Sequence, residues 1–229
     1  MHIEERLSRE TAGEYALRVI RDNIISIDLA PGSIVSENEL GKELGISRTP
    51  VREALKELSK VNLVEIYPQR GCMISLIDLN IVEESVFLRR VLEKAVVGEL
   101  CDTITEEQVQ GLERIIELQE FYLEKSEKTK VFELDNEFHK NLFILSNKTS
   151  TYYLMESMQG HFDRFRALSI YSVGEIKTVA EHRAIVEALR KHDKEEAVAV
   201  ITKHLSRYKL EKDEVFVRYK EFFKAEVVR

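Results

Sequence analysis

Residues 36–77 leave the chain few ways to fold, because capping and turn residues punctuate them at short intervals. Ser36-Glu37-Asn38-Glu39 reads as a capping box, in which the Ser36 hydroxyl accepts from the backbone three residues on and Glu39 reaches back. A short helix follows with Leu40 and Leu44 inward, and Gly45 ends it as a left-handed cap. Ser47 can cap the next helix, and Pro50 is tolerated in its first turn, where N–H groups have no intrahelical partner. That helix runs to Lys60 with Val51, Leu55 and Leu58 facing a core. Leu63–Tyr67 and Cys72–Ile77 then read as two short strands around Pro68-Gln69-Arg70-Gly71, a hairpin with a glycine turn.

Upstream, residues 11–28 predict a helix, with Tyr15, Leu17, Val19, Ile20, Ile24, Ile25 and Ile27 forming a broad apolar face. Pro31-Gly32 breaks it. Helix, short helix, tight turn, helix and hairpin is the order of a winged helix-turn-helix. From Asp78 the character changes to long amphipathic helices, with polar breaks near 101–105, 126–130, 146–150, 171–175 and 191–193. Six such helices predict an antiparallel bundle. The expected fold is mostly α: a winged helix-turn-helix over 1–77 and a bundle of about six helices over 78–229. Only three Pro and nine Gly leave little room for a turn-rich β architecture. A chain of 229 residues can also bury a core in each half without disulfide staples.

The N-terminal stretch has no apolar core for a secretory signal, and no apolar run approaches the roughly 20 residues of a membrane helix. The expected location is cytoplasmic, with no membrane partner. Cys72 and Cys101 fit a reducing compartment and match no metal-binding spacing.

A net charge of −7 does not suggest a nucleic-acid partner, but binding needs only a local basic face. Between Lys42 and Arg70 six basic residues stand against four acidic ones, so position must carry the argument. In a helix-turn-helix the N-terminal residues of the second helix meet base edges in the major groove. That segment is Ser47-Arg48-Thr49-Pro50-Val51-Arg52, with Arg48 and Arg52 four apart on one face. Arg can bridge the two major-groove acceptors of guanine, and Thr49 can meet a thymine methyl or a phosphate. Ser36 and Ser47 lie at helix N-termini, which favour phosphate oxygens. Arg70 and Gly71 at the wing tip can reach the backbone or minor groove. Alone, the Arg pair would read as a solvated face; the surrounding helices and hairpin turn it into a recognition surface.

The stretch SENELGKELGISRTPVREALKELSKVNLVEIYPQRG resembles the winged helix-turn-helix of the GntR family, most specifically in S-R-T-P-V-R-E-A-L. The resemblance implies that Arg48, Thr49, Arg52 and the glycine-bearing wing contact operator DNA. Asn38 departs from the pattern: some members have a DNA-contacting Arg there.

Four residues of the second half look out of place. Asp135 and His139 are i and i+4 beside an apolar face formed by Phe132, Phe138, Leu142 and Phe143. His182 lies on the inward stripe with Val179 and Val186, and His204 beside Ile201, Leu205 and Tyr208. Ionisable groups facing a core are costly unless paired or liganded. A single inward His reads as a satisfied core residue, whereas three with an Asp on three helices suggest a shared metal site. Imidazole and carboxylate suit Zn, Ni, Mn or Fe, with Zn or Ni favoured; positions left open could take a carboxylate ligand. His161, three after Met158 and four before Phe165, is a candidate to line the same cavity. Arg164 and Arg166 could pair with an acidic ligand or be surface charges.

D-x-x-x-H in LDNEFH, E-H-x-x-I in EHRAIVEAL and the H-L of ITKHLSRY resemble the metal-binding pattern of the FCD domain, found in the FadR branch of the GntR family. That resemblance implies Asp135, His139, His182 and His204 as ligands. It also implies that Arg89, in R-R-V-L-E, lines an effector cavity, and Ser146-Asn147 matches a further polar pair, with Asn147 as the effector candidate. The reading is a non-enzymatic, ligand-responsive regulator, expected to be a repressor and a homodimer on operator DNA, answering to a small organic acid. A metal-dependent hydrolase or oxygenase with an accessory winged helix is the alternative, and a purely structural metal is a third.

Overall fold

Thr11 starts the first helix: its hydroxyl accepts from Glu14 N–H while the Glu14 carboxylate accepts from Thr11, a reciprocal capping box. This helix, α1 (Ala12–Ile25), is shorter than the expected 11–28 because the chain turns left-handed at Ile27 (φ 69°). The computed structural model describes residues 1–68, 71–172 and 176–225. β1 (Ile34–Val35), α2 (Glu37–Leu44), α3 (Arg48–Lys60), β2 (Val64–Tyr67) and β3 (Gly71–Ile74) follow. Gly45 closes α2 at φ 67°, a conformation glycine adopts without a Cβ penalty. Gly71 opens β3 at φ 101°. The Ser36 capping box is not formed: Ser36 and Ser47 occupy the N-cap positions, but neither side chain makes a cap bond. Glu39 is exposed instead.

The sheet has the order β1-β3-β2, antiparallel throughout, with Ile34 opposite Met73 and Val64 opposite Ile74. β1 is too short to show alternation, so only the paired hairpin was visible in the sequence. The core beneath collects Ile20 and Ile24 of α1, Leu55 and Leu58 of α3, and Ile74 of β3.

Beyond Asp78 lie α4 (Leu79–Leu100), α5 (Glu106–Glu124), α6 (Lys128–Leu145), α7 (Thr149–Ser157), α8 (Gly160–Ser172), α9 (Ile176–Arg190), α10 (Lys194–His204) and α11 (Tyr208–Arg218). The breaks expected near 101–105 and 191–193 fall between these helices, those near 126–130 and 146–150 overlap the junctions before α6 and α7, and the one near 171–175 lies partly outside the described residues. Two further breaks make eight helices among the described residues, where about six were expected. One precedes Gly160, where a Cβ would come within 2.9 Å of the Leu63 side chain. The other is a tightened turn after His204, where Ser206 N–H donates to Lys203 and Arg207 N–H to His204, each three residues back. No helix among the described residues is long and apolar enough to cross a membrane.

By packing, the chain forms two compact units, each assembled from separate stretches. The first holds residues 1–82, 158–168 and the described residues from Phe216 on; the second holds 83–157 and 169–215. In the first unit the fully buried Arg164 donates to the Ser75 carbonyl at 2.5 Å and to the Ser75 hydroxyl at 3.2 Å. Arg164 is therefore not a surface charge. Residues 222–224 bracket Ile77, whose N–H donates to Phe222 and whose carbonyl accepts from Lys224. In the second unit α5 packs on α6 and α9, and α9 on α10, around Ile116, Phe138, Phe143, Leu189 and Ile201.

Candidate metal centre and nucleic-acid interface

The second unit brings together the four out-of-place residues. Asp135 and His139 project from one face of α6, His182 from α9 and His204 from the last position of α10. All four are buried, and one ligand atom from each lies within 4.8 Å of all the others. His139 Nε2 is 3.2 Å from His204 Nε2 and 3.8 Å from an Asp135 oxygen; the other Asp135 oxygen is 3.5 Å from His182 Nε2.

The opposite ring nitrogens decide the chemistry. His139 Nδ1 is 2.6 Å from a Glu93 oxygen, His182 Nδ1 is 2.9 Å from Gln119 Oε1, and His204 Nδ1 is 3.0 Å from a Glu181 oxygen. Each of these oxygens accepts, so each Nδ1 carries the proton and donates. The three Nε2 lone pairs are then bare and face one another. His182 Nε2 is buried without a hydrogen-bond partner, and the His139 and His204 Nε2 atoms approach to 3.2 Å. Such lone pairs repel unless a cation lies among them, and imidazoles held through Nδ1 by an acceptor are a common arrangement around a metal ion. The donor set fits a divalent ion.

The supports are themselves fixed. Phe138 stacks on the His182 ring, with centroids 4.1 Å apart. Glu93 also accepts from Arg89 Nε at 2.5 Å, so one buried carboxylate joins Arg89 to His139. Burial alone would raise the Glu93 carboxyl, but Arg89 and His139 outweigh it and hold it at about 2. Burial, reinforced by Arg89, lowers His139 to about 4, and burial with His204 beside it drives His182 well down.

Glu93, Gln119 and Glu181 had no assigned role in the sequence reading. Glu93 stood inside the quoted R-R-V-L-E motif and Glu181 inside the quoted E-H-x-x-I motif, whereas nothing in sequence marks Gln119. Of the effector candidates, Arg89 lies next to the cluster through Glu93. Asn147 is exposed and left-handed (φ 57°), and ends α6 by donating its N–H to Ile144. His161 belongs to the other unit. Its Nδ1 accepts from Asp78 N–H at 3.0 Å and its Nε2–H donates to Asn62 O at 2.9 Å. Burial, with Arg164 adjacent, lowers its pKa to about 3.

These imidazoles predict an acid response. An unfolded His takes its proton near about 6.5, and a folded one with a lowered pKa resists it. The stability they contribute is complete above that value and drains away as pH falls toward 4 for His139 and 3 for His161. Metal-free protein is expected to lose thermal stability progressively from about pH 6.5 downward. Melting curves in chelator read this directly, and a flat profile between about pH 6.5 and 4 would contradict neutral imidazoles.

In the first unit, α3 buries Val51, Ala54, Leu55 and Leu58 and exposes the face carrying Arg48, Thr49, Arg52 and Lys56. Lys56 extends the basic stripe one turn beyond Arg52, a place sequence reading did not single out. Ser47 is exposed and Ser36 partly so; Gly71 is exposed at the start of β3. Arg70 lies outside the described residues. Arg48 is paired with Glu37 of α2.

Residues 14–74 match the model of bacterial regulatory proteins of the gntR family, and residues 84–207 match the FCD domain, more than half of the chain. The chain belongs to the GntR family. It is a transcriptional regulator with a GntR DNA-binding domain and an FCD domain, and not an enzyme, so the hydrolase alternative falls away. It is 34% identical to an HTH-type transcriptional regulator in an unstable DNA locus of Streptomyces ambofaciens, over 81% of this chain and 78% of that one. It is 30% identical to the HTH-type transcriptional repressor RspR of Escherichia coli K12, over 90% of this chain and 91% of the relative. The fold is similar to that of E. coli McbR/YncC, with a TM-score of 0.78 and 18% identity over 92% of this chain and 99% of that one.

Proposed function

We propose that this GntR regulator is a metal-dependent repressor whose FCD domain answers to a small carboxylate. The observation that carries the reading is the set of three Nε2 atoms facing one another, each ring held through Nδ1 by an acceptor. Asp135, His139, His182 and His204 would be the ligands, and their nitrogen-rich set favours Zn or Ni. Bound there, a divalent ion supplies open coordination positions to a carboxylate oxygen. Three neutral imidazoles and one carboxylate leave the centre at net +1, and Arg89 beside it adds to the preference for an anion. An organic acid then shifts the population between operator-binding and released forms, in proportion to its differential affinity for the two. The repressor assignment is supported by the name of the E. coli relative RspR. The proposed boundary between the two domains, at 77/78, lies between the two family matches.

On the DNA side, Arg48, Thr49 and Arg52 read base edges, while Ser36, Ser47, Arg70 and Gly71 meet the backbone or minor groove. A homodimer matches the two-fold symmetry of palindromic half-sites.

A thermal-shift screen of small carboxylates on metal-loaded protein tests the sensor reading, since a ligand selective for the folded state raises its stability by mass action. A hydroxy or sugar acid is expected to raise Tm only when metal is present. Loss of folding on chelation, with no carboxylate response at any concentration, would instead make the metal purely structural.

A further inference from the structure

Glu37 sits at the first position of α2, where the helix dipole favours a carboxylate, and only 19% of its side chain is exposed. Arg48, at the first position of α3, is 63% exposed and donates its Nε–H to the Glu37 carboxylate. Among the described residues this is the ion pair each makes. A single ion pair whose guanidinium lies in solvent adds little to stability. Its geometry offers another role. A guanidinium has five N–H donors in a rigid fork. A partner on Nε leaves the end-on edge of the fork, with one N–H from each Nη, and those two donors can span the two acceptors of a guanine edge.

We propose that Glu37 is a positioning residue for sequence reading. Its half-buried carboxylate, anchored on the first helix of the helix-turn-helix, holds Arg48 on the second in the orientation that presents its Nη edge to a base. This rests on the reading of Arg48 as a base contact. An Arg held in place loses less freedom on binding than one that must be ordered by the DNA. The same carboxylate is an anion brought close to the phosphate backbone, so it opposes affinity that does not depend on sequence. Glu37 therefore acts in opposite directions on the two components of binding: it sharpens preference at one base pair and weakens attachment to DNA in general. Asn38, next to it in the chain, is neutral and offers no competing cation.

The test begins with duplexes selected from a random-sequence library by the wild-type protein. Arg48→Ala identifies the base pair at which preference is lost. Glu37→Gln, an isosteric change at a solvent-edge position, is then measured on duplexes carrying each base pair at that place. It is expected to reduce preference there by about 3–10-fold, with no loss at the others, and to tighten binding to a random-sequence duplex. In the Arg48→Ala background it should cause no further loss of preference. Unchanged discrimination in Glu37→Gln, or an equal loss with and without Arg48, overturns the positioning role while leaving Arg48 as a contact. Full discrimination in Arg48→Ala overturns the contact itself and the role of Glu37 with it.

Discussion

Purified protein is expected to hold close to one divalent metal ion per chain, and His182→Ala to lose most of it. His182 supplies the lone pair that has no protein partner, on a ring held from two sides by Phe138 and Gln119. Alanine removes that ligand without disturbing the partners of His139 or His204, which bond to Glu93 and Glu181. Glu93→Gln is a graded companion. It leaves all four ligands but replaces the carboxylate that accepts from His139, and changes of this kind cost about 10–100-fold in metal affinity. It also removes the Glu93 charge from beside the buried Arg89, so circular dichroism and melting curves must accompany the binding measurement. Elemental analysis of the purified variants and titration against a competing chelator give the two numbers. Full metal content in His182→Ala would end the assignment of this cluster as a metal centre.

On DNA, Arg48→Ala and Arg52→Ala should each cost about 1–3 kcal/mol of discrimination at the base each reads. The effect is separable from charge loss. Lys56, exposed one turn further along α3, lies where a phosphate contact is expected. Lys56→Ala should weaken binding about equally on all sequences and lower the salt dependence by roughly one counterion. Binding by the three variants to selected and random duplexes, across a range of salt, distinguishes these outcomes. If both Arg variants bind the selected duplex with wild-type preference, α3 is not the reading helix.

Much of this architecture was legible in advance, and the reason is local. Gly45 and Pro50 impose conformations that depend on a few neighbouring residues, so α2 and α3 appeared at nearly their true bounds, as did β2, whereas the second strand, expected over Cys72–Ile77, runs from Gly71 only to Ile74. What failed was equally local. The Ser36 box matches its pattern but makes no cap bond, and Ile27 ends α1 through a left-handed turn that its side chain does not advertise. The break before Gly160 was not seen either; the glycine itself answers to the approach of Leu63, distant in sequence, which no periodicity reports.

The sequence by itself determined which residues face inward: an ionisable group on an apolar helical stripe is visible as a fault in the pattern, and Asp135, His139, His182 and His204 were found that way. It also determined the family, through spacings that leave few alternatives. Only the tertiary structure decided which inward groups meet. The acceptors behind the imidazoles, Glu93, Gln119 and Glu181, come from three different helices, and Gln119 looks like any polar residue of an amphipathic pattern. It likewise separated His161 and Arg164 from the cluster, by giving them backbone partners in the other unit. Periodicity records the direction of a side chain from its own helix; the identity of the group it reaches depends on how distant segments pack.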